Sequence, residues 1–222
     1  MCSERRRGGG GVRRALGAAA LGALACTQPT APGEAPGYDP TTLTAGRVYH
    51  WPLGADVAVY VAPGMDDGAL RAAFTHAAAA WTASLRYREL RLRVVATPAE
   101  ADVVLGYLGD AYPVALDVCR GIAIPAAFTL LCPQGDSAAT LPLRAGGGGR
   151  VKIAIVVQRD AVGQPGQLEA VVTHELGHAL GIGGHSTAAG DVMYTDPHAA
   201  RPSARDAATL RYVLHQPAAV RL

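Results

Sequence analysis

The sequence has little of the positive charge and aromatic surface that nucleic-acid-binding proteins use. Lys152 is the only lysine among 222 residues, and Phe, Trp and Tyr together make up 5% of the chain. The formal charge is +2, but the first 25 residues contain five arginines and one acid, Glu4, which leaves 15 basic and 17 acidic residues in the remainder. A nearly neutral chain without a dense Lys/Arg cluster has no electrostatic footprint for nucleic acid. Nucleic acid is therefore excluded as a partner.

The N-terminal apolar run is too short to span a membrane. Residues 15–25 are Ala, Leu and Gly, and eleven such residues cannot cross a bilayer as a stable helix. The run follows two arginine clusters, at residues 5–7 and 13–14, and ends in small residues, which is the pattern of a secretory signal peptide. We therefore expect residues 1–25 to be removed and the protein to be exported.

The end of this signal, Ala23-Leu24-Ala25-Cys26, resembles the lipobox of bacterial lipoproteins, whose cysteine is acylated. The resemblance implies a lipid on Cys26 and contact with the membrane through that lipid alone. The alternative is free secretion, since an ordinary signal peptidase would cut the same bond after Ala-x-Ala. Either way we expect an exported protein, as a cell-envelope lipoprotein or in the medium.

Residues 26–46 are rich in Pro, Gly, Thr and Ala, with little that can form a core. This composition predicts a tether. Residues 47–222 then form one domain, because half of the whole chain is apolar and its length suits a single core.

Cysteines are scarce, and no CxxC pair is present. Once Cys2 leaves with the signal and Cys26 takes a lipid, Cys119 and Cys132 remain as an even pair in an oxidising compartment. We expect them to form a disulfide. A role as zinc ligands is the weaker alternative, because the two lie too far apart for a CxxC site.

Alternating or continuous runs of β-branched residues predict four strands. They cover residues 56–61, 91–97, 101–108 and 151–158, the last as a central strand because it is apolar nearly throughout. Residues 110–143 contain four prolines, and no element is predicted there. The glycine-rich residues 145–150 lack the GK[ST] of a phosphate-binding loop, which argues against nucleotide binding.

Three helices are predicted from spacing and capping residues. The first runs from Asp67 to Leu85, with a buried apolar stripe at spacings of three and four; His76 lies off that stripe and is expected on the surface. A second helix begins near Gln167. A third runs from Ser203, as its N-cap, to about Leu214.

The second helix carries the residues with the clearest chemistry, His174-Glu175-Leu176-Gly177-His178. Histidines four apart share one helical face, so both imidazoles can reach one metal ion. Glu175 is turned by about 100° from His174, which suits a base that does not itself bind the metal. Such a pentapeptide also occurs on salt-bridged helices without metal, and that reading is the alternative.

The residues after this motif strengthen the metal interpretation. Gly181 stands where the helix must end, His185 follows, and Asp191-Val192-Met193-Tyr194 comes next. HELGHALGIGGHS and DVMY together resemble the metzincin metallopeptidases, and most closely their matrixin-like branch, which is marked by HExxHxxGxxH and a later Met-turn. The likeness extends from about Val48 to the C-terminus, apart from residues 110–143.

The resemblance implies an α+β fold: a twisted mixed β-sheet of about five strands with a zinc-binding helix and a C-terminal helix. It implies zinc held by His174, His178 and His185, with Met193 beneath the metal. Glu175 would act as general base toward a metal-activated water, so the implied activity is that of a zinc endopeptidase on protein or peptide substrates. The protein is expected to be a monomer.

This chain departs from the family pattern at the third histidine. The pattern puts a histidine three residues after the glycine, where this chain has Gly184, and His185 stands one further on. We expect Gly183 and Gly184 to absorb the surplus residue in a wider turn. Asp191 and His198 are the competing third ligands, whereas Tyr194 is not counted as one.

Two further alternatives stay open. A metal-binding lipoprotein scaffold without turnover would keep the histidines but would not need the base Glu175. The presence of calcium as a second cofactor also stays open. Four acids are its candidate ligands, although the sequence favours solvated loop residues at these positions: Asp66, Asp67, Asp110 and Asp136.

Overall fold

A computed structural model gives the fold of most of the predicted domain. It describes residues 34–63, 68–107, 138–144, 151–158, 162–218 and 220–221. The signal peptide, the acylation site Cys26, the pair Cys119 and Cys132, and the candidate calcium ligands Asp66, Asp67, Asp110 and Asp136 lie outside these residues.

The fold is α+β and is built on a mixed sheet. In chain order the strands are β1 Tyr49–His50, β2 Ala55–Val61, β3 Leu90–Val94, β4 Val103–Tyr107, β5 Ala138–Arg144, β6 Val151–Val157 and β7 Val220–Arg221. Five of them form one sheet in the order β3-β2-β4-β6-β5, in which only β5 runs antiparallel to its neighbour. β1 and β7 form a separate parallel pair.

The helices are α1 Ala69–Ala83, α2 Gln167–Leu180 and α3 Ala204–His215, with a short 3₁₀ turn at Pro98–Glu100. The predicted stripe of α1 is buried at Leu70, Phe74, Ala77 and Trp81, and His76 is exposed as expected. In the part of the chain that the structure describes, no helix combines the length and apolar character needed to cross a bilayer.

The core forms between the sheet and the helices α1 and α2. Alternate residues of the three central strands β2, β4 and β6 point to this core, as their period of two requires: Val57, Val59, Val61, Val103, Leu105, Tyr107, Ile153, Ile155 and Val157. The opposite sheet face carries a smaller cluster around Ala58 and Val104. Helix α2 therefore packs against one side of the sheet.

The predicted strands and helices are confirmed, with end points shifted by a few residues. Strand β5 was not predicted, because it lies partly in the proline-rich stretch for which no element was assigned. Its Pro142 pairs with Ile153 of β6. β5 lies at one edge of this sheet, and a proline in an edge strand removes no backbone hydrogen bond to a further strand.

Residues 34–46, expected to be part of a tether, are packed against the domain. Tyr38 donates a hydrogen bond to Asp206 of α3, and the amide of Leu43 donates one to the carbonyl of Gly183. Thr44 is buried, with 4% of its surface exposed. The tether prediction therefore does not hold for residues 34–46. The segment has few apolar residues, and hydrogen bonds from its backbone and side chains hold it against the domain instead.

Candidate metal centre

Helix α2 holds two of the predicted metal ligands and ends where the third must be brought back. Gly181 has φ +124°, a conformation that residues with a Cβ rarely adopt. Its amide donates to the carbonyl of His178, and the amide of Ile182 donates to that of Gly177. These bonds satisfy carbonyls that the helix end leaves open, and the chain turns back toward the helix.

The three predicted histidine ligands lie together. The Nε2 atom of His178 is 3.1 Å from Nε2 of His174 and 3.2 Å from Nε2 of His185. The ligand atoms of all three lie within 4.8 Å of one another, and within the described ranges they are the only group of three such donors. Three imidazoles thus converge on one point from a helix and from the loop that follows it.

Backbone carbonyls orient two of these rings. Nδ1 of His174 lies 2.8 Å from the carbonyl of Val192, and Nδ1 of His178 lies 2.6 Å from that of Ile182. A carbonyl only accepts, so each Nδ1 carries the proton and each Nε2 presents a lone pair. This arrangement, with the outer ring nitrogen bonded to a carbonyl, is typical of histidines that bind a metal.

Two of the donor separations fit zinc. Nitrogens that lie about 2.0–2.1 Å from a tetrahedral zinc ion are about 3.3 Å apart from one another. The two short Nε2 separations in the cluster are close to that value. Three imidazole donors with a fourth position left to solvent are also the ligand set of catalytic zinc sites.

Burial keeps two of the histidines neutral. Loss of solvent lowers the pKa of His174 to about 4, and a hydrogen bond to Val192 offsets part of that effect. Burial also lowers the pKa of His178 well below its ordinary value, and the neighbouring histidines lower it further. Both imidazoles are thus in the neutral form that binds a metal at physiological pH.

Glu175 lies beside the cluster without belonging to it. The residue is buried, with 6% of its surface exposed, and it is not among the three grouped donors. Its charge contributes to the raised pKa of Tyr49, which burial causes in the main, and the hydroxyl of Tyr49 donates to the carbonyl of His178. Glu175 directly follows His174 on α2, so a buried carboxylate accompanies the donors without being grouped with them, which makes it the candidate general base.

Met193 packs against α2 and explains a glycine of the motif. Met193 is fully buried, and a Cβ at Gly177 would overlap its Sδ atom and come within 2.7 Å of the Trp81 ring. The Nε1 of Trp81 also donates to the carbonyl of Thr173 in α2. Gly177 therefore lets a methionine and a tryptophan lie against the helix that carries the ligands.

Asp206 holds the segment that contains Met193, a role that sequence reasoning missed. Its carboxylate accepts hydrogen bonds from the amides of Val192 and Met193, at 2.8 and 3.3 Å. It also closes a capping box with Ser203, the predicted N-cap of α3. An acid three residues after a cap serine is the available sequence signal, but the pattern does not show that the same acid bonds a second loop.

The two competing third ligands lie elsewhere. The carboxylate of Asp191 accepts hydrogen bonds from the hydroxyls of Ser186 and Ser203, at 2.5 and 2.6 Å. His198 is exposed and lies 3.0 Å from the carboxylate of Asp196. Asp191 thus ties the residue after His185 to α3, and neither competitor is grouped with the histidines.

Gly183 and Gly184 have a role in addition to the one expected. Gly181 is the only one of the three loop glycines with a positive φ. A Cβ on Gly183 would come within 2.5 Å of the Thr44 side chain, and one on Gly184 would overlap the carbonyl oxygen of Asp39. These glycines give room to the N-terminal segment that packs on the loop.

No family model matches this sequence, and a search of curated proteins found no significant match.

Proposed function

We propose that the protein is a zinc endopeptidase of the metzincin type, matrixin-like, with His174, His178 and His185 as metal ligands. The convergence of their Nε2 atoms carries the proposal, because two of the lone pairs are fixed toward one another by carbonyl bonds. Without a cation, the buried Nε2 lone pairs of His174 and His178 would face each other with no proton between them, whereas buried polar atoms normally have a hydrogen-bond partner. The HExxH motif and the Met193 turn support the choice of zinc.

The residues of the chain have distinct parts in the proposed reaction. Zinc, when bound, supplies Lewis-acid polarisation of a peptide carbonyl and of the attacking water. Glu175 takes the proton of that water and later delivers it to the leaving amine. Met193, which is fully buried against Gly177 of α2, would supply the apolar floor below the ligands.

The N-terminal signal supports a place for this activity outside the cytoplasm. We propose that the mature enzyme begins at Cys26, acts on protein or peptide substrates at the cell envelope or in the medium, and contacts the membrane only through a lipid on that cysteine.

The test is zinc content and proteolysis, measured on the same preparation. We expect about one zinc per chain, and cleavage of an unfolded protein such as casein that a chelator abolishes and added zinc restores. Loss of all three histidines should remove both properties. A protein that binds zinc stoichiometrically but cleaves neither casein nor a peptide library would contradict the peptidase and favour the scaffold.

A further inference from the structure

Residues 34–46, here called the N-terminal clasp, reach both of the segments that orient the histidine cluster, one directly and the other through Asp206 of α3. One is the loop of residues 182–186, and the other is the turn of residues 191–194. The clasp is thus bonded to residues that lie more than a hundred positions further along the chain.

The first contact is a chain of hydrogen bonds that leads from Tyr38 to a ligand. The Tyr38 hydroxyl donates to Oδ1 of Asp206 at 2.8 Å. The same carboxylate accepts from the amide of Val192, and the carbonyl of Val192 bonds Nδ1 of His174. Burial and the charge of Asp206 raise the pKa of Tyr38, so its phenol stays protonated and remains a donor.

Arg205 fastens this part of the clasp to α3. Its guanidinium donates to the carbonyl of Gly37 at 2.9 and 3.2 Å, and it lies over the ring of Tyr38. The same group is 3.4 Å from the carboxylate of Asp191. The amide of Gly37 donates to the hydroxyl of Thr209 in α3, so Tyr38 is held next to Asp206 from both sides.

The second contact is close packing on the loop that carries the third histidine. The amide of Leu43 donates to the carbonyl of Gly183 at 2.8 Å. The clasp leaves no room for a Cβ on Gly183 or Gly184. The carbonyl of Ile182 just before them bonds His178, and His185 follows directly after them.

The start of the clasp is fixed by an ion pair. The carboxylate of Glu34 accepts two hydrogen bonds from the Arg211 guanidinium, at 2.9 and 2.7 Å, and lies 3.5 Å from Arg86. A two-point contact between Arg and carboxylate is among the stronger and more directional side-chain pairs. The segment is thus attached at Glu34, at Tyr38 and at Leu43.

We infer that the N-terminal clasp is part of the metal site: it positions the three histidines through the turn at Val192 and the loop at Gly183, with Tyr38 as the positioning residue. This inference rests on the proposed zinc site. Groups that orient metal ligands from outside typically change metal affinity by about 10- to 100-fold when they are altered. Tyr38 acts through Asp206, so we expect an effect at the lower end of that range.

The test compares Tyr38→Phe with Tyr87→Phe, since both remove one hydroxyl and Tyr87 is 60% exposed. Zinc affinity is measured by competition with a chelating indicator, and the coordination geometry by the absorption spectrum of bound cobalt. We expect Tyr38→Phe to lower affinity about tenfold and to alter the cobalt spectrum, while Tyr87→Phe changes neither. Unchanged affinity and spectrum in Tyr38→Phe would overturn the inference.

A second comparison addresses the loop contact. Gly184→Ala forces the clasp away from the loop, whereas a Cβ on Gly190 meets nothing within 4 Å. We expect weaker zinc binding in Gly184→Ala, wild-type binding in Gly190→Ala, and faster hydrogen exchange at the amides of Val192 and Met193 in metal-free Tyr38→Phe. A wild-type protein that binds no zinc would overturn the proposed function and the inference together. Normal wild-type binding, with Tyr38→Phe equal to its control Tyr87→Phe, would overturn the inference alone.

Discussion

At the scale of single side chains, the proposed site consists of ligands and a base, and in that proposal turnover depends on Glu175. Its neutral isostere in Glu175→Gln keeps the volume but cannot take a proton. We expect zinc content to stay the same and kcat to fall by about 10²- to 10⁴-fold, the usual contribution of a general acid-base group. The measurement is cleavage of a fluorogenic peptide at equal zinc content.

Glu169→Gln is the matched control for that change. Glu169 belongs to the same helix, but it pairs with the exposed His76 and is not among the grouped donors. Its variant should retain wild-type kcat. Undiminished turnover in Glu175→Gln would mean that another group takes the proton.

The third ligand is tested by His185→Ala. Two nitrogens from one helix hold only one side of a tetrahedral ion. Loss of a group that only orients a ligand typically lowers metal affinity by about 10- to 100-fold, and we expect the loss in zinc affinity here to be larger. His198→Ala is the control, because His198 is exposed and paired with Asp196. If His198→Ala loses zinc and His185→Ala keeps it, the ligand assignment is wrong.

At the scale of elements, the end of α2 depends on one glycine. A Cβ on Gly181 would meet the carbonyl oxygen of Tyr49 at 2.6 Å, in a backbone conformation of φ +124°. We expect Gly181→Ala to lower the free energy of unfolding by about 1–3 kcal/mol. Urea unfolding of the zinc-free protein measures the change.

Gly190→Ala provides the comparison for this element. Gly190 lacks a positive φ, and there is open space where its Cβ would be. We expect its unfolding free energy to stay within about 0.5 kcal/mol of wild type. Equal stability of Gly181→Ala and Gly190→Ala would contradict the role given to the helix end.

The elements also show how far the sequence predicts this structure. The stripe of α1, the strands rich in Val and the Ser203 cap are local patterns, and the structure confirms them. Strand β5 was not predicted, because its register is set by pairing with β6 and not by a pattern of its own residues. The packing of residues 34–46 was not predicted either. Tyr38 and Leu43 form hydrogen bonds with residues more than a hundred positions away, and amino-acid composition does not show such contacts.

Within the site, too, the sequence predicts local geometry but not contacts between distant segments. The spacing of His174, Glu175 and His178 on one helix follows from helical geometry and was predictable. The roles of Gly183, Gly184 and Asp206 depend on which segment packs beside them. A glycine pair reads equally well as a wide turn or as room for a neighbour, and only tertiary contacts separate the two.

For the molecule as a whole, the buried histidines predict a loss of stability in acid when no metal is bound. Burial lowers the pKa of His174 to about 4 and that of His178 well below 6.5, the value near which both titrate when unfolded. Between these values the unfolded chain takes up protons that the folded chain does not. The two neutral histidines therefore contribute their full stabilisation above about pH 6.5. The free energy of unfolding falls as the pH is lowered toward 4, by about 3 kcal/mol for His174 alone.

Urea unfolding of the chelated protein from pH 7.5 to 4.5 measures this slope. His174→Asn should flatten it, and His76→Asn, at an exposed side chain, should leave it unchanged. A stability that rises on acidification would mean that the cluster is charged in the folded state.

Attachment to the envelope is a second prediction for the whole chain. A fatty-acid probe fed to expressing cells should label the wild-type protein and not Cys26→Ser, because the predicted acylation site is that thiol. Cys2→Ser should be labelled normally, since Cys2 is expected to leave with the signal. An unlabelled wild type would reduce the prediction to free secretion.

The docking of the clasp sets how far an acylated enzyme reaches. Seven residues, 27–33, separate Cys26 from Glu34, which is already attached to Arg211. Even fully extended, that stretch spans no more than about 30 Å, where a tether continuing to residue 46 would span more than twice as far. Proteolysis by the anchored form would then be confined to a thin layer next to the bilayer, and a substrate's height above the membrane would decide its cleavage as much as its sequence.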